Sequence, residues 1–210
     1  MVVEHRRELA LLRFEGPRFQ DHGLDISVLQ EIIAYKGLII DTASELWRAK
    51  NPGKARLPSG FGQELELKFF ELRRGSTVVP LERGVSSGMY PAHLPDLFDD
   101  AADVLDDAVF SASQDGLPPA NLPVSIVRQL AQFGSSLREG EAVAIKSSRH
   151  EKMAIFDSHA RRSVSKWSEP TYLDEFEYTG EIRSADLDGS KDSPNNNCYE
   201  SGSGVLGLMV

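Results

Sequence analysis

Six aspartates crowd one short stretch of the chain: Asp96, Asp99, Asp100, Asp103, Asp106 and Asp107. Asp99, Asp103 and Asp107 recur every four residues, a spacing that projects side chains from one side of a helix. Carboxylates placed this way could dock a basic partner. They could also hold a divalent cation, with His93 as a further ligand in a metal-dependent hydrolase. Carboxylates on a single helix stand ~6 Å apart at Cβ, however, and metal sites draw converging ligands from another element. The plainer expectation is a solvated face opposite Leu97, Ala101 and Leu105. The histidines, His5, His22, His93, His150 and His159, form no H-E-x-x-H, H-x-E or other ligand spacing, and each reads as a surface residue. The nucleophile signatures G-x-S-x-G and S-x-x-K and the phosphate loop G-x-x-x-x-G-K-[ST] are missing. Ser59-Gly60-Phe61-Gly62 and Ser86-Ser87-Gly88 read as turns. Cys198 lies in a polar tail where nothing fixes a base beside it. The sequence therefore assigns no catalytic residue, no metal set and no cofactor.

Basic residues gather in two places. Trp47, Arg48, Lys50, Lys54 and Arg56 mix an aromatic ring with cations, and Phe61, Arg73 and Arg74 could lie near them. Such mixtures bind single-stranded nucleic acid by stacking and charge, although cations at a helix C-terminus also suit its dipole. The second group is Lys146, Arg149, Lys152, Arg161, Arg162 and Lys166. It could face an acidic partner, such as the Asp helix of a second copy.

These residues must be held by the following elements. Residues 8–15 are a short apolar run closed by Gly16-Pro17, which favours a buried strand. A long helix spans about 26–50, with Asp25 placed to cap it and Asn51-Pro52-Gly53 to stop it. Gly37 inside that helix suggests a kink or a close helix crossing. Residues 64–73 and 76–83 read as two strands. The first slips in period at Phe69-Phe70, which suggests a bulge or two-sided burial. In the second, Pro80 points to a sheet edge or a short strand. Helices are expected at 96–113 and 124–137, strands at 141–146 and 151–157, and weak helical character at 158–168. A last amphipathic strand at 171–189 either joins the sheet or opens an incomplete β-region. The polar stretch that begins at 190 marks a disordered tail through 210.

Across 210 residues the formal net charge is -9, which disfavours broad contact with polyanions but leaves room for a local basic patch. One cysteine forms no internal disulfide, which fits a reducing compartment. The first ten residues lack a signal-peptide apolar run, and no stretch approaches ~18 apolar residues. A cytoplasmic protein without membrane spans is expected.

The segments LRFEG, ELWRAKNPG, LPSGF with LKFFELRRGSTVVPLER, and GEIRSADLDG together resemble an uncharacterised family of bacterial α+β proteins. The resemblance covers about residues 9–189, more loosely over 140–170. It implies a small C-terminal β-rich region that is truncated or divergent here after Gly189, and it carries no activity or catalytic residues.

The fold expected is α+β: a mostly antiparallel sheet packed against one long helix and a helical pair, with helices mainly on one face and a main domain over 1–170. The function expected is non-enzymatic binding or regulation through protein partners, with homo-oligomers compatible. A nucleic-acid-associated accessory protein is the alternative, and a metal-dependent hydrolase the third.

Overall fold

The computed structural model describes residues 5–20, 23–54, 56–62, 65–70, 77–85 and 96–168. All of them fall in one compact unit, Met1–Pro170. The strand expected at 171–189 and the tail at 190–210 lie outside the described residues, as do His22, His93, Arg73 and Arg74.

Five strands form one antiparallel sheet: β1 (His5–Glu15), β2 (Leu67–Lys68), β3 (Thr77–Val85), β4 (Ala142–Ser147) and β5 (Ala154–Phe156), in the order β2-β3-β1-β4-β5. Period-two alternation sets its two faces. Leu12 aligns with Val79 and Ile145, and Phe14 with Thr77 and Val143; all are buried. Among the described residues four α-helices accompany the sheet: α1 (Leu29–Lys50), α2 (Leu97–Ser113), α3 (Val124–Gln132) and α4 (Ser158–Trp167). Helix α2 packs on β1, β4 and β5, with α1 against its outer side and α4 beside it, while α3 packs on α4. Being covered from both sides, α2 buries side chains around most of its circumference, including Ala101, Ala102, Leu105, Ala108 and Val109. The architecture is the expected α+β arrangement with its long helix.

Local departures from the expected elements have identifiable causes. Helix α3 ends at Gln132, short of the expected 137, because Gly134 adopts φ +75 and the Gly134 and Ser136 N–H groups donate to Glu31 of α1. An α-helical Gly134 would need its N–H for the carbonyl four residues back. Residues 158–167, expected to be weakly helical, form a full helix because Asp157 accepts from the N–H groups of His159 and Ala160. Of the bulge or two-sided burial expected at Phe69-Phe70, the second does not hold: both rings are exposed, and Arg6 stacks on the Phe70 ring at 4.0 Å. Helix α1 runs unbroken through Gly37, and a Cβ there would meet nothing within 4 Å, so no close crossing uses it among the described residues. Among the described residues Pro80 lies where β3 is paired with β1 alone, since β2 reaches Glu82 and Arg83. Its missing N–H is tolerated there.

A bulge at Leu9 has consequences for charge. Pairing shifts between Glu8 and Ala10, so Arg7, opposite Arg83, joins the helix-covered face that Ala10, Leu12 and Phe14 occupy further along. Both guanidinium groups are thereby brought to the N-terminus of α2.

Candidate functional site

The acidic helix is not a solvated face: Asp99 and Asp106 are each only 2% exposed, and most of the six carboxylates are consumed by partners. At its N-terminus Asp96 caps α2 by accepting from the N–H groups of Phe98 and Asp99, and Asp99 returns a bond from the Asp96 N–H. Arg83 donates through Nη1 to both Asp96 oxygens at 2.7 and 2.6 Å, with its guanidinium over the Phe98 ring. Arg7 reaches Asp99 at 2.5 Å. Burial pushes the Asp99 carboxyl above its ordinary range, against the pull of the Asp96 N–H and Arg7. This end of α2 is a charge-paired joint between helix and sheet.

In the middle of α2 the partner is the β4–β5 turn. Ser147 donates its N–H to Asp106 at 3.0 Å and its hydroxyl to Asp103 at 2.5 Å. Arg149 bridges Asp103 and Asp100, and Lys50 of α1 reaches Asp100 at 3.1 Å. His150 meets Asp106 through Nδ1 at 2.7 Å, and its Nε2 lies 3.9 Å from Asp107. Burial pushes Asp106 above the usual carboxylate range, opposed by the bonds from Ser147 and His150. The buried Tyr35 hydroxyl has no hydrogen-bond partner among the described residues; burial and the nearby charges of Asp106 and Asp103 raise its pKa. Arg149 thus answers the Asp helix of its own chain; an acidic partner such as the Asp helix of a second copy was one reading of its basic group.

Serine, aspartate and histidine also meet on α4. Asp115, in the left-handed region at φ 53, accepts from the Ser163 hydroxyl at 2.7 Å and lies 3.1 Å from His159 Nε2. The Ser163 bond and the His159 contact hold its carboxyl below the ordinary range. Both sets contain the residue types of a hydrolytic triad, and in both the order is wrong. Acyl transfer needs the imidazole between hydroxyl and carboxylate, so that it takes the serine proton. Here a carboxylate accepts directly from each serine hydroxyl, which leaves the oxygen without a base and the histidine without a nucleophile. These are structural clasps.

The other expected site residues are dispersed. Asp107 is 54% exposed, against 2% for Asp99 and 20% for Asp103. At 3.6 residues per turn Asp106 lies only ~20° around the helix from Asp99, and Asp107 ~80° away. The i, i+4, i+7 stripe was the available signal for Asp106. In the basic patch Arg48 is paired with Glu45 at 2.6 Å and Lys50 with Asp100, while Lys54 Nζ sits 5.9 Å from the Trp47 ring centroid and Arg56 is exposed. Half of its cations are thus already matched by carboxylates.

Two further buried acids had no sequence signal. Glu31 accepts from the N–H groups of Gly134 at 2.6 Å and Ser136 at 2.8 Å. Glu141 takes both arms of the Arg18 fork, at 3.0 and 2.6 Å, with the Arg138 N–H. Burial opposes its charge, but those donors outweigh it and hold its pKa below the usual range. Among the described residues no three His, Cys, Asp or Glu side chains are placed to hold a metal ion. No family model, curated protein or solved structure matches the chain, so the site is read from its own geometry.

Proposed function

We propose that the chain is a non-enzymatic binding or regulatory protein acting through protein partners. One observation carries this: at each Ser–Asp–His meeting point the serine hydroxyl donates to a carboxylate and not to the imidazole, so the polar groups fasten secondary structure together and none is poised to attack a substrate. Large apolar side chains stay at the surface, among them Ile26 at 82% and Ile33 at 72% exposure along the start of the long helical segment. Side chains of that size on a wet helix face suit contact with another protein. The test is a photocrosslinker at position 33 of the full chain in source-cell extract. It is expected to capture a partner that unlabelled protein displaces and an Ile26→Glu/Ile33→Glu variant does not. No specific adduct, or a rise of several degrees in Tm with low-millimolar divalent cation, would reject the proposal, since specific metal binding must stabilise.

A second reading, a nucleic-acid-associated accessory role, draws support from Lys54 over Trp47 beside the exposed Arg56. It requires salt-sensitive binding of single-stranded DNA or RNA at ~50 mM salt that Lys54→Glu weakens severalfold. A flat anisotropy titration removes it.

A further inference from the structure

The turn between β4 and β5 crosses the middle of α2, and its side-chain contacts there go to that one helix. Ser147 bonds Asp103 and Asp106, Arg149 bonds Asp100 and Asp103, and His150 stands between Asp106 at Nδ1 and Asp107 at Nε2. The charges facing the ring from each neighbouring element can be named. Helix α2 presents Asp103, Asp106 and Asp107, the turn itself presents Arg149, and α1 contributes the neutral Tyr35 and, through Asp100, Lys50. Among the described residues, the permanent cations paired with Asp100, Asp103, Asp106 and Asp107 are Arg149 and Lys50. An imidazolium is the third cation that this cluster can recruit.

The ring's proton sets the charge it brings to this cluster. A neutral imidazole carries one N–H and an imidazolium two. The neutral ring can keep its one N–H on Asp106 through Nδ1; the charged ring keeps that bond, lends its charge to the buried Asp106 and brings that charge within 3.9 Å of Asp107, an ionic contact beyond hydrogen-bond reach. We propose that His150 is a pH-responsive clasp: protonated, it fastens the 148–153 turn across α2, and on losing its proton it loosens the turn's hold on Asp106 and Asp103. Burial of Asp106 acts in the same direction, because an ionised carboxylate in that position gains most from an adjacent cation. Opening uncovers the carboxylates that Arg149 occupies when the turn is closed.

The experiment is residue-resolved amide exchange on the full chain from about pH 5.5 to 8, corrected for intrinsic exchange. The Ser147 amide reports the clasp, because its acceptor is the Asp106 side chain; the Leu12 and Ile145 amides serve as sheet references. Ser147 protection is expected to fall about tenfold across that range while the references hold, a change of about 1.4 kcal/mol. His150→Gln should show the high-pH protection at every pH. Asp107→Asn, at an exposed position, should keep the fold and shrink the pH response at least twofold. Protection independent of pH in the wild type overturns the proposal, as does an unchanged response in His150→Gln. If His150→Gln does not fold, an unchanged response in Asp107→Asn overturns it instead.

Discussion

Replacing Glu31 with Ala isolates one tertiary device. The carboxylate is 2% exposed and is the acceptor for two backbone N–H groups, those of Gly134 and Ser136, in the chain that leaves α3. An unsatisfied buried donor costs about 1–3 kcal/mol. The Gly134 bond is fully buried and the Ser136 bond only partly, so water can relieve the second. The expected loss is therefore about 2–4 kcal/mol, or roughly 5–15 °C in Tm for a folding unit of this size. Glu31→Gln keeps one acceptor oxygen but turns an amide N–H towards the other donor, so it should fall between Ala and wild type. Thermal melts followed by circular dichroism give the stabilities, and amide exchange at Gly134 and Ser136 reports the two donors. A loss below ~1 kcal/mol with Gly134 protection intact would refute the reasoning, since the donors would then not need Glu31. Helix gained in the alanine variant would point elsewhere: to α3 running on to 137 once Glu31 no longer captures the Gly134 N–H.

Asp96→Ala removes both the cap of α2 and the partner of the buried Arg83, so a loss of about 3–5 kcal/mol is expected in urea titration. Asp96→Asn keeps a capping oxygen and should recover about 1 kcal/mol of it. Gly16→Ala places a Cβ 2.8 Å from Glu141 Cγ at φ +132, and should lower stability by about 1–3 kcal/mol in the same assay. Glu141→Gln should cost about 2–3 kcal/mol at neutral pH by weakening the Arg18 fork. Because the folded pKa of Glu141 lies below its ordinary 4.5, its contribution is fully present above that value and is lost as pH falls through the folded value. The gap between wild type and Glu141→Gln in urea midpoint should therefore close on acidification; a gap that persists at about pH 2 would contradict the assignment.

What the chain's own pattern determined was the order of the main elements and the apolar side of the long helices. The apolar run of β1 closed by Gly16-Pro17, helical spacing in α1 and α2, the Asp25 cap and the stop after Lys50 are all local signals. They act over a few residues, so they survive without knowledge of the fold. The class follows from them, because a sheet with one apolar face must be covered by the helices available.

Only tertiary structure decided the fate of the charges. Asp99 reads as a surface acid until the bulge at Leu9 turns Arg7 onto the same side of the sheet. Glu31 looks like an ordinary first-turn helix residue, and its partners lie 103 and 105 residues away. Ser147 and His150 are unremarkable in sequence because their chemistry depends on Asp103 and Asp106, more than 40 residues earlier. Apolar burial is written in the composition of each segment, since it depends on how much surface is hidden. Whether a carboxylate is wet, paired or buried depends on which donors arrive from elsewhere, and those meetings exist only once the chain has folded.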